Sequence, residues 1–145
     1  YTKSEYSHAE LIMPDDETWV SISPFLNSRL EKRVPEFIDP DEWDFVELEL
    51  HWRKPVRDYQ LEQLEKFIKM TEGSGYDWFG LILSRLSPFV IKHKGKWYCS
   101  EWIAYALVHS RIIMWDQMNL HRTPGLSPAK LHEILSAPKS NPVYK

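Results

Sequence analysis

The sequence predicts an α+β domain in which a small antiparallel sheet packs against helices. Three patterns point there. Apolar segments flank the turn signal Pro14-Asp15-Asp16, apolar and polar residues alternate from Asp44 to Trp52, and several later runs carry apolar residues at helical spacing. At 145 residues the chain has room for one core, so residues 1–145 are expected to form a single domain with a tail from about 137.

Taken in order, Tyr6 to Met13 reads as a strand and Thr18 to Ile22 as its hairpin partner. The stretch from Ser23 to Asp41 contains Pro24, Pro35 and Pro40 and reads as a long ordered excursion, with a short strand around Arg29 to Arg33. From Asp44 to Trp52, Val46, Leu48 and Leu50 alternate with Phe45, Glu47 and Glu49, the period of a strand with one buried face. This is the clearest strand pattern in the chain. Arg57 to Thr71 places Leu61, Leu64, Phe67 and Ile68 on one helical stripe, with Gly73 as a C-cap and Glu62, Glu65, Lys66 and Lys69 on the solvated face. Tyr76 to Leu86 forms a second helical pattern, stopped by Ser87-Pro88. Phe89 to Lys96 is a basic connector or strand. Cys99 to Ser110 has no internal Gly or Pro and reads as a buried helix with Cys99 in its first turn. Ser127-Pro128 supplies an N-cap and an N1 proline for a last helix through Leu135.

Composition narrows the function classes. With 43% apolar residues, 27% charged residues and a net charge of −3, the chain is globular and has no basic run that could track a phosphate backbone, so nucleic acid is not an expected partner. No apolar stretch approaches bilayer length, so no transmembrane segment is expected. The opening Tyr1 to Tyr6 lacks the pattern of a signal peptide, which suits a cytoplasmic or virion-associated protein. The single cysteine, Cys99, rules out an internal disulfide framework and a multi-cysteine zinc site. No cofactor and no metal is expected.

Cys99 is then an inert core thiol or a reactive one. A free thiol is only slightly ionised at neutral pH, and a helix N-terminus stabilises a thiolate by about 0.3–1 kcal/mol, too little by itself. An imidazolium in contact would supply the remainder and could carry the proton to a leaving group. Six histidines are available: His8, His51, His93, His109, His121 and His132. His8, behind small Ser7 at the start of a half-apolar strand, is the best placed to emerge toward a helix terminus. His8 and Glu10 could also suggest a metal, but two ligands on one strand without a third nearby are a weak signal.

Three stretches carry a resemblance: Tyr6-Ser-His-Ala-Glu-Leu-Ile12, Gly75-Tyr-Asp-Trp-Phe-Gly80 and Trp97-Tyr-Cys-Ser-Glu-Trp-Ile103. Together they resemble the histidine strand, the Tyr-Asp-aromatic signature and the nucleophile helix of circularly permuted papain-like cysteine hydrolases of the NlpC superfamily. The pattern is closest to the YiiX-like branch and more distantly similar to lecithin retinol acyltransferase. The histidine strand precedes the cysteine helix, which is the permuted order, and Thr123-Pro124 with Ser127 to Ile134 resembles the closing segment. The resemblance implies a permuted papain-like fold with Cys99 as nucleophile, His8 as general base and acid, and Tyr76, Tyr98 and Ser100 at the substrate. It also places the backbone N–H of Cys99 at an oxyanion site.

The family's third polar residue, on the strand after the histidine strand, falls on Ser21, which brings no charge to an imidazolium. Glu10, on the same strand face as His8, is the alternative orienting residue. Tyr98 stands where peptidoglycan-cleaving members carry an Asp that recognises a free amine. The implied activity is that of a thiol-dependent amidase or peptidase acting on an amide or ester bond, with peptide, amide or acyl-ester substrates. The alternatives are an acyltransferase or lipid-ester hydrolase, or a catalytically weak papain-like binding module of a phage or bacterial assembly.

Overall fold

The computed structural model describes residues 8–22, 30–72, 98–114 and 126–137. Its elements are β1 (Leu11–Ile12), β2 (Trp19–Ile22), β3 (Leu30–Arg33), α1 (Lys54–Thr71), α2 (Tyr98–His109) and α3 (Pro128–Ser136). The three strands form one antiparallel sheet in the order β1-β2-β3, and the domain is α+β.

The hairpin turn is built by Asp15, whose carboxylate accepts from the Glu17 N–H at 2.9 Å, the Thr18 N–H at 2.8 Å and the Thr18 hydroxyl at 2.7 Å. Those bonds, the Thr18 N–H first, hold the Asp15 carboxyl below its usual range. They also support Asp16 in the left-handed region at φ 60°. The register pairs Leu11 with Val20 and Ile12 with Trp19. Across the next ladder Trp19 faces Arg33 and Ser21 faces Glu31. β1 is shorter than its sequence pattern: His8, Ala9 and Glu10 approach it without joining the ladder.

Helix α2 is the hub. Every residue from Cys99 to Leu107 is buried, and α2 packs against α1, α3 and β2. A helix apolar nearly all round belongs in an interior. Its largest side chain, Trp102, sits beside Phe67 of α1 with ring centroids 5.9 Å apart and donates its indole N–H to the Thr71 hydroxyl at 3.2 Å. Thr71 in turn donates to the Phe67 carbonyl at 2.8 Å, so the one polar atom of this aromatic packing is satisfied. At its C-terminal end α2 closes in a Schellman pattern: Ile112 N–H to Leu107 C=O, Arg111 N–H to Val108 C=O, and Arg111 at φ 59°.

The alternating segment from Asp44 to Trp52 is not a strand. Its side chains keep the expected pattern, with Val46, Leu48 and Leu50 half-buried and Phe45, Glu47 and Glu49 exposed, yet no ladder forms along it. It is an extended strap, and Gln60 of α1 fixes its end. The buried Gln60 amide accepts from the His51 N–H at 2.9 Å and donates to the Arg111 carbonyl at 2.9 Å, tying strap, α1 and the end of α2 together.

Helix α1 begins at Lys54, earlier than the apolar stripe implies, because Pro55 fits the first turn of a helix. Glu72, in extended conformation, is its C-cap. Gly73 and the segments from Tyr76 to Leu86 and from Phe89 to Lys96 lie outside the described residues. In α3 the Ser127 hydroxyl accepts from the Lys130 N–H at 3.0 Å, with Pro128 at N1. Replacing this cap, Ser127→Ala, is expected to cost about 1 kcal/mol in urea unfolding. No loss of stability would mean that packing of Leu131 alone holds α3 in place. No described helix is long and apolar enough to cross a membrane.

Candidate active site

Cys99 lies in the first turn of α2, a free thiol only 4% exposed. The imidazole of His8, carried on the approach to β1, hydrogen-bonds it. The same imidazole presents Nε2 to Glu10 Oε1 at 3.3 Å. Residues two apart on an extended chain share a face, which is why both side chains reach the same spot. The structure thus brings together Cys99, His8 and Glu10.

A fourth residue completes the array. Arg33, at the end of β3, grips the Glu10 carboxylate with both oxygens engaged: Nη2 to Oε1 at 2.6 Å and Nε to Oε2 at 3.2 Å. Its guanidinium also lies over the indole of Trp19, 5.5 Å from the ring centroid. The order is Arg33, Glu10, His8, Cys99, with charge-assisted bonds between the first three.

The electrostatics follow from those contacts. The His8 pKa is raised to about 9, chiefly by its hydrogen bond to Cys99 and next by the one to Glu10, both overcoming a burial penalty. Burial pushes the Glu10 carboxyl up, yet the bonds from His8 and Arg33 outweigh it and hold the group below the usual carboxylate range. At neutral pH the imidazole is a cation flanked by a carboxylate and a sulfur.

The other expected site residues are distributed differently. Ser100 is fully buried and donates its hydroxyl to the Leu126 carbonyl, so it anchors the segment leading into α3. Tyr76 lies outside the described residues, as do the side chains of Ser21 and Tyr98; the backbone of Ser21 sits in β2 opposite Glu31. His93 and His121 also lie outside them. His109 packs against Phe67 at 5.2 Å, with its pKa lowered by burial, and His51 Nδ1 accepts from the Arg53 N–H at 3.1 Å.

Sequence reasoning missed Arg33 and Glu101. Arg33 could be found only from the β2–β3 register, which sets it opposite Trp19. Glu101 stands two residues beyond Cys99, is 5% exposed, and accepts the Leu126 N–H while Oε1 has no partner among the described residues. Burial raises its pKa to about 7. No group of three or more metal-ligating side chains occurs among the described residues.

A cleft of about 660 Å³ opens beside the array, with His8 and Glu10 on its wall; Cys99 itself does not line it. Comparison with protein-family models, curated proteins and solved structures finds no match to this chain. Its chemistry is therefore read from the side chains.

Proposed function

We propose that the protein is a thiol hydrolase of the permuted papain-like type, with Cys99 as nucleophile, His8 as the proton carrier and Glu10 as the residue that orients it. The observation that carries this reading is the single imidazole hydrogen-bonded to both the thiol and a buried carboxylate, itself clamped by Arg33. Such an arrangement takes the Glu10 carboxylate out of water and commits a partly exposed arginine and imidazole to it, and an inert core thiol has no use for that. A small antiparallel sheet beside a helix that begins at the cysteine also suits the permuted papain-like plan.

In this mechanism the sulfur, its proton already on His8, attacks the acyl carbonyl. The carbon–oxygen π pair moves to oxygen, where the backbone N–H of Cys99 at the helix start stabilises the oxyanion. Collapse expels the amine or alcohol, which takes the proton from His8 and leaves a thioester on Cys99. A water molecule then gives a proton to His8 and attacks the thioester, releasing the carboxylic acid and regenerating the thiol–imidazole pair. With Nε2 held by Glu10, the remaining ring nitrogen is the one that exchanges the proton. An acceptor alcohol or amine in place of water makes the same intermediate an acyltransferase.

One observation favours a second reading, a papain-like binding module. Cys99 is 4% exposed and does not line the cleft, so the sulfur is shielded in this conformation. The two readings part on reactivity. Iodoacetamide is expected to alkylate Cys99 at pH 7, and His8→Ala to slow that reaction about tenfold, read by intact mass. Slow labelling that His8→Ala leaves unchanged makes the array structural and the module reading the better one.

A further inference from the structure

The exposed surface divides by charge along one stretch of chain. From Val34 to Leu50 every charged side chain is a carboxylate, and Glu36, Asp41, Glu42, Asp44, Glu47 and Glu49 are all exposed. From Trp52 to Arg57 every charged side chain is a cation. Arg111 joins that second group, because the Gln60 amide holds the His51 N–H and the Arg111 carbonyl at 2.9 Å each and so sets the end of α2 beside the end of the strap. Both halves also present large apolar side chains to water. Phe37 is 82% exposed and Phe45 55% in the acidic half; in the basic half Trp52 is 79% exposed, and Val56, Tyr59 and Met114 are exposed too. Single apolar residues on a surface are ordinary, whereas large ones gathered along one stretch mark an interaction site.

The basic half runs against local preference. Arg53 is the N-cap of α1 and makes no side-chain cap bond, and the first turn that follows has Lys54 and no acid, although the dipole at that end disfavours cations. Arg111 takes φ 59° at the end of α2, a conformation that favours glycine. The guanidinium of Arg111 lies over the Tyr59 ring at 5.6 Å from its centroid, and that of Arg53 over Trp52 at 5.5 Å. Lys54 is paired with Asp58. Among the described residues Arg53, Arg57 and Arg111 make no ion pair, nor do Glu36, Asp41, Glu42 and Glu47 of the acidic half. Local rules broken together at one place point to function.

We propose that this stretch is the contact surface for a second copy of the chain, in a two-fold dimer whose straps run antiparallel, so that the acidic half of each copy meets the basic half of the other. A surface with both signs side by side is complementary to itself after a half turn, which is the condition for an isologous interface. Glu47 and Arg53 lie equally far along the chain from Leu50, so a half turn about Leu50 sets the Glu47 of one copy against the Arg53 of the other. The exposed aromatic side chains of both halves then fall inside the contact. An anionic bilayer or nucleic acid would meet the carboxylates as well as the arginines, and the acidic half repels both. The dimer also braces the strap, which walls the cleft beside His8. No residue of the Arg33, Glu10, His8 and Cys99 array takes part, so the interface stands apart from the hydrolase reading.

Sedimentation equilibrium tests it. The wild-type chain should show a monomer–dimer equilibrium in about 0.1 M salt and associate at least about tenfold more weakly in about 1 M, where the Debye length falls to about 3 Å. Glu47→Arg and Arg53→Glu each set like charges against one another and should weaken association at least about tenfold. Their equimolar mixture should recover a heterodimer within about threefold of wild-type affinity, because each altered position then meets its opposite. Arg53→Glu places an acid at the start of α1, where the helix favours one, so its loss of association is not a loss of fold. Trp52→Ser should weaken the dimer about tenfold as well. A wild-type chain that stays monomeric up to about 1 mM overturns the proposal. Single variants that associate as the wild type does also overturn it, as does a mixture that stays monomeric while both variants are folded by circular dichroism. Open-ended assembly in place of a dimer overturns the two-fold pairing. A monomer that binds phosphatidylglycerol vesicles through Trp52 gives this surface to lipid and overturns the proposal too.

Discussion

Under the hydrolase reading proposed above, Glu10→Ala is expected to cost activity heavily while leaving the proposed nucleophile in place. The carboxylate holds the His8 ring by Nε2 and stabilises its charged form, and loss of such an orienting group lowers kcat on the order of 10²–10⁴-fold. The substitution also strands two cations. Arg33 loses both of its bonds and His8 loses one, and because Arg33 is 42% exposed, water compensates part of the loss. A net destabilisation of about 2 kcal/mol follows.

Titration separates a functional effect from a merely structural one. The His8 pKa, raised to about 9 by Cys99 first and Glu10 second, should fall in Glu10→Ala, as followed by the imidazole proton resonance. The stability difference between wild type and variant has a defined pH window. A histidine raised from 6.5 to about 9 contributes stability that is complete below pH 6.5 and is lost as the pH rises through about 9. Glu10, lowered from 4.5, contributes stability present above pH 4.5 and lost as the pH falls below it. The gap should be widest between about pH 4.5 and 6.5. An unchanged His8 titration together with full activity would remove Glu10 from the site.

The contrast between Glu10 and Arg33 shows how far the sequence carries. His8 and Glu10 are two residues apart on an extended segment, so local geometry alone puts them on one face. The first turn of α2 and the cap of α3 are similarly local, read from Cys99 ahead of an uninterrupted apolar run and from Ser127-Pro128. Arg33 is not local. Its contact with Glu10 depends on the register of β2 against β3, and no residue pattern within either strand sets that register. The strap fails for the opposite reason. Period-two burial reports that one side of an extended chain faces the core, and both a strand and an unpaired strap satisfy it; only the ladder distinguishes them. Ser100 and Glu101 sit at polar positions that helical periodicity assigns to solvent. They are buried because the segment at Leu126 covers the start of α2 and uses both.

That cover makes Glu101 the site of the largest expected gain in stability. Its carboxylate receives one hydrogen bond, from the Leu126 N–H, while Oε1 is buried without a partner among the described residues. A carboxyl with a folded pKa near 7 against 4.5 unfolded binds its proton more tightly in the fold. Below pH 4.5 it costs the fold nothing through ionisation. The penalty grows as the pH rises and is complete above about 7, where it amounts to about 3 kcal/mol.

Glu101→Gln keeps an acceptor for Leu126 and cannot ionise. It is therefore expected to stabilise the protein by up to about 3 kcal/mol at pH 8 and to change little at pH 4.5, measured by urea unfolding at both values. Tyr105, whose phenol is pushed up first by burial and then by Glu101, should titrate lower in the variant. A variant destabilised equally at both pH values would show that the carboxyl is kept for a hydrogen bond that glutamine cannot replace, and that its charge is not what the fold bears.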